Sequence, residues 1–122
     1  MKITTAESLI MEALWGRSPM AAEEIAAEVA PGQGWTDATV KSLINRLLNK
    51  GAVTAEKDGR RYLYRPVLER ASYLAQESQG LVDRLFDGRL APLVSHFSKT
   101  RKLSPADVAE LKRLIAELDD EP

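Results

Sequence analysis

Between Thr36 and Gly51 the sequence leaves the chain little freedom. Val40, Leu43, Ile44 and Leu47 recur at helical spacing. At about 100° per residue this places the other three within about 60° of Val40, on one apolar face. Thr36 is a strong N-cap, Asp37 suits the positive end of the helix dipole, and Gly51 is a C-terminal stop. The spacing therefore predicts a helix from Asp37 to about Lys50. Two β-prone runs follow, Ala52–Lys57 and Arg61–Pro66, and the Asp58-Gly59-Arg60 between them is a hairpin signal.

Two shorter helices precede this pair. Thr4 and Glu7 form a capping box for a helix that runs to about Trp15 and stops at Gly16, with Ile10, Met11 and Leu14 as its stripe. Ser18-Pro19 is a connector. Ala22 to Val29 is the second helix, and Pro31-Gly32-Gln33-Gly34 ends it. Three helices followed by a two-stranded hairpin is the order of a winged helix-turn-helix, whose third helix enters a DNA major groove.

Charge distribution agrees with that order. The chain has 122 residues and a net charge of −1, but residues 35–66 carry seven basic and three acidic side chains, while 1–34 and 67–122 are both net acidic. On the third helix, Ala38, Ser42, Asn45 and Asn49 lie opposite the apolar stripe, flanked by Thr39, Lys41 and Arg46. Small side chains allow close approach to base pairs, amides and hydroxyls can read base edges, and cations reach phosphates. An ordinary solvated helix face would look similar by itself. The hairpin tips the balance, because Lys57, Arg60, Arg61 and Arg65 lie where a wing meets the phosphate backbone. Trp15 and Trp35 read as core plugs. Tyr64 reads as packing onto the helices, with Tyr62 left open.

From residue 68 onward the chain reads as helix: about Glu69 to Phe86, weakened by Gly80; Leu90 to Phe97; and a last helix opened by Ser104 and Pro105 with Asp107 at N3. Leu74, Leu81, Leu85, Phe86, Leu93, Phe97, Leu111, Leu114, Ile115 and Leu118 are more apolar surface than some fifty residues can hide in a monomer. Folding back on the first three helices is one solution. A homodimer is preferred, because two symmetric recognition helices match a palindromic site. The expected organisation is a winged-helix domain over 1–67 and a helical dimerisation domain over 68–122, mainly α with a small β-hairpin. The tail Asp119-Asp120-Glu121-Pro122 reads as frayed.

Several functions find no support. With no cysteine there is no thiolate metal site, disulfide or catalytic thiol, and the single His96 cannot build a metal cluster. No nucleophile–base pair, paired carboxylates or phosphate-cradling glycine loop stands out, so no enzyme, cofactor or metal is expected. No apolar segment is long enough to span a bilayer and no leader is evident, so a cytoplasmic protein without membrane insertion is expected.

The stretch from Trp35-Thr36 through Thr39-Val40-Lys41, Leu43-Ile44, Arg46-Leu47 and Lys50-Gly51 resembles the penicillinase-repressor (BlaI/MecI/CopY) family. So do Glu56-Lys57, Gly59-Arg60, Tyr62, Tyr64 and Pro66, together with Leu14-Trp15, Arg84-Leu85-Phe86-Asp87-Gly88 and Leu103-Ser104. The resemblance implies a cytoplasmic, homodimeric transcriptional repressor with a C-terminal three-helix dimerisation domain, bound to an inverted-repeat operator in double-stranded DNA and blocking promoter access. The alternative is a winged-helix module that docks a protein partner. By this resemblance the DNA contacts fall on Thr36, Ala38, Thr39, Lys41, Ser42, Asn45 and Arg46, and in the wing on Arg60 and Arg61, to which the hairpin's own charge adds Lys57. In the β-lactam branch a membrane sensor-protease triggers cleavage between Asn and Phe. The matching pair here is His96-Phe97, a departure from that pattern. The copper-sensing branch uses a C-terminal cysteine motif, which this chain lacks. In the family the second helix usually opens on Ser or Thr; Ala21 stands here, at a cost of about 1 kcal/mol.

Overall fold

The computed structural model describes residues 1–119. Its elements run α1 (Thr5–Gly16), β1 (Met20–Ala21), α2 (Ala22–Gln33), α3 (Asp37–Lys50), β2 (Val53–Asp58), β3 (Arg61–Pro66), α4 (Arg70–Phe86), α5 (Leu90–Lys99) and α6 (Pro105–Asp119). Two compact units divide the chain, Met1–Ala75 and the remainder from Gln76. Residues 120–122 of the acidic tail lie outside the described residues.

In the first unit, α1, α2 and α3 enclose a core of Ile10, Met11, Leu14, Ile25, Val40, Leu43, Ile44 and Leu47, closed by Ile3, Met20, Ala52 and Val53. The helical stripes of α1 and α3 are those the spacing predicts. The α1 capping box forms, with the Glu7 N–H donating to Thr4 Oγ1 (3.1 Å) and the Thr4 N–H to Glu7 Oε1 (2.9 Å). At α3 the Thr36 hydroxyl accepts from the Thr39 N–H (3.2 Å), and Gly51 takes the left-handed conformation at φ 78°.

The sheet has three strands, not two. Met20–Ala21 pairs antiparallel with β3, opposite Tyr64 and Leu63, giving the order β1-β3-β2. A two-residue strand has no alternation for sequence reasoning to detect; only β3 lying alongside reveals it. The hairpin itself turns through Gly59-Arg60 between the facing pair Asp58 and Arg61. Gly59 sits at φ 64° and Arg60 at negative φ, the demand of a turn with glycine at its first central position. The first hairpin strand begins at Val53 rather than Ala52. Ala52 is buried, and its carbonyl accepts the N–H groups of Val67 (2.8 Å) and Leu68 (3.1 Å), which pins the chain leaving the sheet.

Two helix ends differ from expectation. Gly16 does not terminate α1 in a left-handed conformation; it is the last helical residue, and Arg17 leaves in extended backbone. Pro31 does not stop α2. The helix runs one more turn to Gln33 and ends at Gly34 (φ 70°), whose N–H donates to Ala30 O (2.9 Å). Near a C-terminus a proline loses one amide bond while its carbonyl stays available, so the turn survives. The missing side-chain cap at Ala21 is partly offset, because Glu24 Oε1 accepts from the Ala21 N–H (3.0 Å).

The first compact unit runs to Ala75. The first turn of α4 belongs with the winged helix, for Tyr73 packs against Trp15 with ring centroids 5.5 Å apart and planes tilted by 42°, and Trp15 Nε1 donates to Leu68 O (2.8 Å). In the second unit α5 extends to Lys99, two residues past the expected end, and Gly80 is carried inside α4. Ser104 and Asp107 cap α6 reciprocally, the Asp107 N–H donating to Ser104 Oγ (3.0 Å) and the Ser104 N–H to Asp107 Oδ2 (3.2 Å).

Candidate nucleic-acid interface

Burying Val40, Leu43, Ile44 and Leu47 against α1 and α2 turns the opposite face of α3 outward. Thr36, Ala38, Thr39, Lys41, Ser42, Asn45, Arg46 and Asn49 are all exposed. They form one strip of small, polar and cationic side chains. At its start the Thr36 and Thr39 hydroxyls lie 3.1 Å apart, beside the first-turn N–H groups of Asp37 and Ala38. That end carries partial positive charge and suits a phosphate.

The hairpin cations divide into two kinds. Arg61 lies 3.5 Å from Asp58 and 3.8 Å from Glu24, and Arg65 lies 3.7 Å from Glu56. These pairs are half exposed, and such pairs contribute at most about 1 kcal/mol, so a phosphate can displace them. Lys57 and Arg60 are exposed and carry no ion pair among the described residues, as does Lys41 on α3. Tyr62 is exposed on the same ribbon, whereas Tyr64 packs against the core. Burial raises the Tyr64 hydroxyl pKa, and Tyr62 and Glu23 add to it, so that hydroxyl stays protonated. Trp35 is half-buried against the core, as its place before the N-cap suggests.

Glu24 was not legible as a site residue. It holds the Ala21 N–H while lying 3.3 Å from Arg17 and 3.8 Å from Arg61, and so ties the start of α2 to the wing. Ala21-x-x-Glu24 has half of a capping-box pattern, and that was the available signal.

Glu7 is the second residue missed. Its capping role is evident from sequence, but its complete burial is not. Lys50, from the last turn of α3, reaches Glu7 Oε1 and also donates to Lys2 O (2.8 Å). Arg46 Nε lies 3.8 Å from Glu7 Oε2. Burial pushes the Glu7 carboxyl pKa up, but hydrogen bonds from Lys50 and Thr4 outweigh it and leave the pKa below its usual 4.5. The sign follows from a folded value below the unfolded one. The stabilisation is complete above about pH 4.5 and is lost as pH falls through the folded value. Denaturant titrations followed by Trp fluorescence should therefore show the first unit weakening below that pH. Glu7→Gln should flatten the dependence.

In the second unit no side chain from Gln76 to Leu118 is buried. Leu81, Leu85, Leu90, Phe97, Val108, Leu114, Ile115 and Leu118 are exposed, and Phe86, Leu93 and Leu111 are half-buried. Leu74 is exposed too, on the α4 turns that belong to the first unit. Leu90, Val94, Leu111, Leu114, Ile115 and Leu118 line a cleft of about 660 Å³ between α5 and α6. His96 and Phe97 are exposed on α5, their rings edge-to-face at 5.5 Å. Among the described residues no helix is long and apolar enough to cross a membrane.

The family model described as Penicillinase repressor matches residues 3–117. The chain belongs to the penicillinase repressor family. The penicillinase repressor of Bacillus licheniformis is 28% identical over 116 residues, covering 95% of this chain and 91% of that protein. Among solved structures, the DNA binding domain of the repressor BlaI matches with a TM-score of 0.55 at 29% identity, over 59% of this chain and 88% of that one. The monomeric form of Bacillus licheniformis BlaI in complex with the blaP half-operator matches with a TM-score of 0.54 at 29% identity, over 60% and 89%. In this penicillinase repressor family member, the α3 strip and the hairpin are carried by the three-helix and sheet unit that those structures resemble.

Proposed function

We propose that this penicillinase repressor family member is a DNA-binding transcriptional repressor that acts as a homodimer on an inverted-repeat operator and blocks promoter access. The observation that carries the reading is the exposed face of α3 beside the cationic hairpin. Thr36, Thr39, Ser42 and Asn45 offer hydroxyls and an amide to base edges, Ala38 permits close approach, and Lys41 and Arg46 flank them for phosphates. Lys57, Arg60 and Arg61 extend the cationic surface along the wing. That a related BlaI was solved on a half-operator supports the same use of this surface here.

The second unit supports the dimer. Its helices have an apolar face and, among the described residues, no buried side chain, so a second copy is the partner that would complete a core. Two copies then offer two α3 helices to two half-sites. Induction by a sensor-protease would act at His96-Phe97. That bond lies within regular helix, so cleavage would require α5 to unwind there.

The reading is tested by fluorescence anisotropy on the duplex upstream of the protein's own gene, at a series of salt concentrations. Arg60→Ala and Lys41→Ala should each weaken binding on every sequence and reduce the log–log salt slope by about one. Unchanged slopes in both variants would move the DNA face elsewhere. No binding by the folded wild type would favour a protein-docking module.

A further inference from the structure

The Glu7 carboxylate is used unevenly. Its Oε1 takes both the Thr4 N–H and the Lys50 ammonium, which suffices to cap α1 and to tie down the end of α3. Its Oε2 is equally buried and has no hydrogen-bond partner among the described residues. The cation facing Oε2 is Arg46, whose Nε stands 3.8 Å away while its side chain is half exposed. That separation is too long for a hydrogen bond but well within Coulombic reach. Arg46 is also the cation on the flank of the α3 face assigned to DNA.

We infer that Glu7 is a positioning residue for DNA binding: from inside the core it holds the Nε end of Arg46 and so aims the guanidinium tip at the phosphate backbone. A guanidinium can do both because its donors point in separate directions. Nε faces the carboxylate, while the terminal nitrogens form the fork that takes a phosphate. Holding a long side chain in place before binding removes ordering that DNA would otherwise have to impose. A lysine at 46 could not do both, since its only charged atom is at the tip. The inference rests on the DNA-binding reading of α3.

The test uses the full chain and a labelled mixed-sequence DNA duplex at low salt, because a phosphate contact acts on every sequence. Four proteins complete a double-mutant cycle: wild type, Glu7→Gln, Arg46→Ala and the double variant. Circular dichroism confirms that each is folded. Glu7→Gln keeps an acceptor for Thr4 and Lys50 but removes the charge facing Arg46. It should weaken binding roughly three- to tenfold in the wild-type background and leave Arg46→Ala unchanged. An equal effect in both backgrounds, or tighter binding by Glu7→Gln, overturns the inference. Arg46→Lys provides a test independent of whether Glu7→Gln folds. It should lose about as much affinity as Glu7→Gln, because the charge that meets the phosphate survives while the positioning is gone, and retention of near wild-type affinity overturns the inference. Wild type that binds without coupling sinks only the role of Glu7, whereas folded wild type that fails to bind the duplex sinks the DNA reading and this role with it.

Discussion

Ile115→Asp is expected to turn the protein into a monomer in sedimentation velocity and to weaken its hold on a two-half-site operator by two orders of magnitude or more. Ile115 is 58% exposed in the protomer, so the substitution costs the isolated fold little. In a dimer the same position would be covered, and a carboxylate would have to give up its water with no partner cation supplied. Burying an unpaired charge in this way costs about 3–5 kcal/mol, against the about 1.4 kcal/mol that makes a tenfold change in an equilibrium constant. The loss in operator affinity follows from the loss of the second half-site. Two linked recognition helices gain from the high effective concentration of the second once the first is bound, and a monomer forfeits that. Helical content and binding to a single half-site should be retained. A dimer that survives Ile115→Asp, and Leu118→Asp at 66% exposure, would place the interface outside the α5–α6 cleft.

Leu47→Ala should have the largest effect on stability. Leu47 is fully buried between α3 and the other two helices, and its carbonyl accepts the N–H groups of Gly51 and Ala52 where α3 gives way to the sheet. Truncation leaves a cavity at that junction. Large-to-small changes at such sites cost about 2–5 kcal/mol, a large part of what a domain of this size has. A midpoint lower by roughly 10–20 °C is expected in a thermal melt. Trp15 and Trp35 both lie in the first unit, so fluorescence isolates its transition from that of the C-terminal helices. Because Leu47 faces away from Ser42 and Asn45, binding well below the midpoint should be nearly unchanged. A shift of only a few degrees would mean that α1 and α2 close over the gap.

The parts legible from sequence share a cause: their determinants are local. The α3 stripe, the Thr36 and Gly51 caps and the Gly59-Arg60 turn each involve residues within a few positions of one another. Placing the stripe inward automatically places Thr39, Ser42 and Asn45 outward, so the candidate DNA face was readable as the complement of the core. Where local signals competed, reading was weaker. Pro31 looks like a stop, yet α2 runs on to Gln33 and closes at the left-handed Gly34, whose N–H reaches Ala30 O.

The sequence by itself determined the helices, the hairpin and the polarity of each α3 face, since backbone periodicity and capping chemistry depend on neighbours in the chain. Only the tertiary structure decided that Met20–Ala21 joins the sheet, that Tyr73 draws the start of α4 onto Trp15, and that Glu7 is sealed beneath Lys50 and Arg46. Those pairings join residues about 40 or more positions apart, and nothing short of the folded arrangement brings such groups within reach of each other's charge or hydrogen bonds.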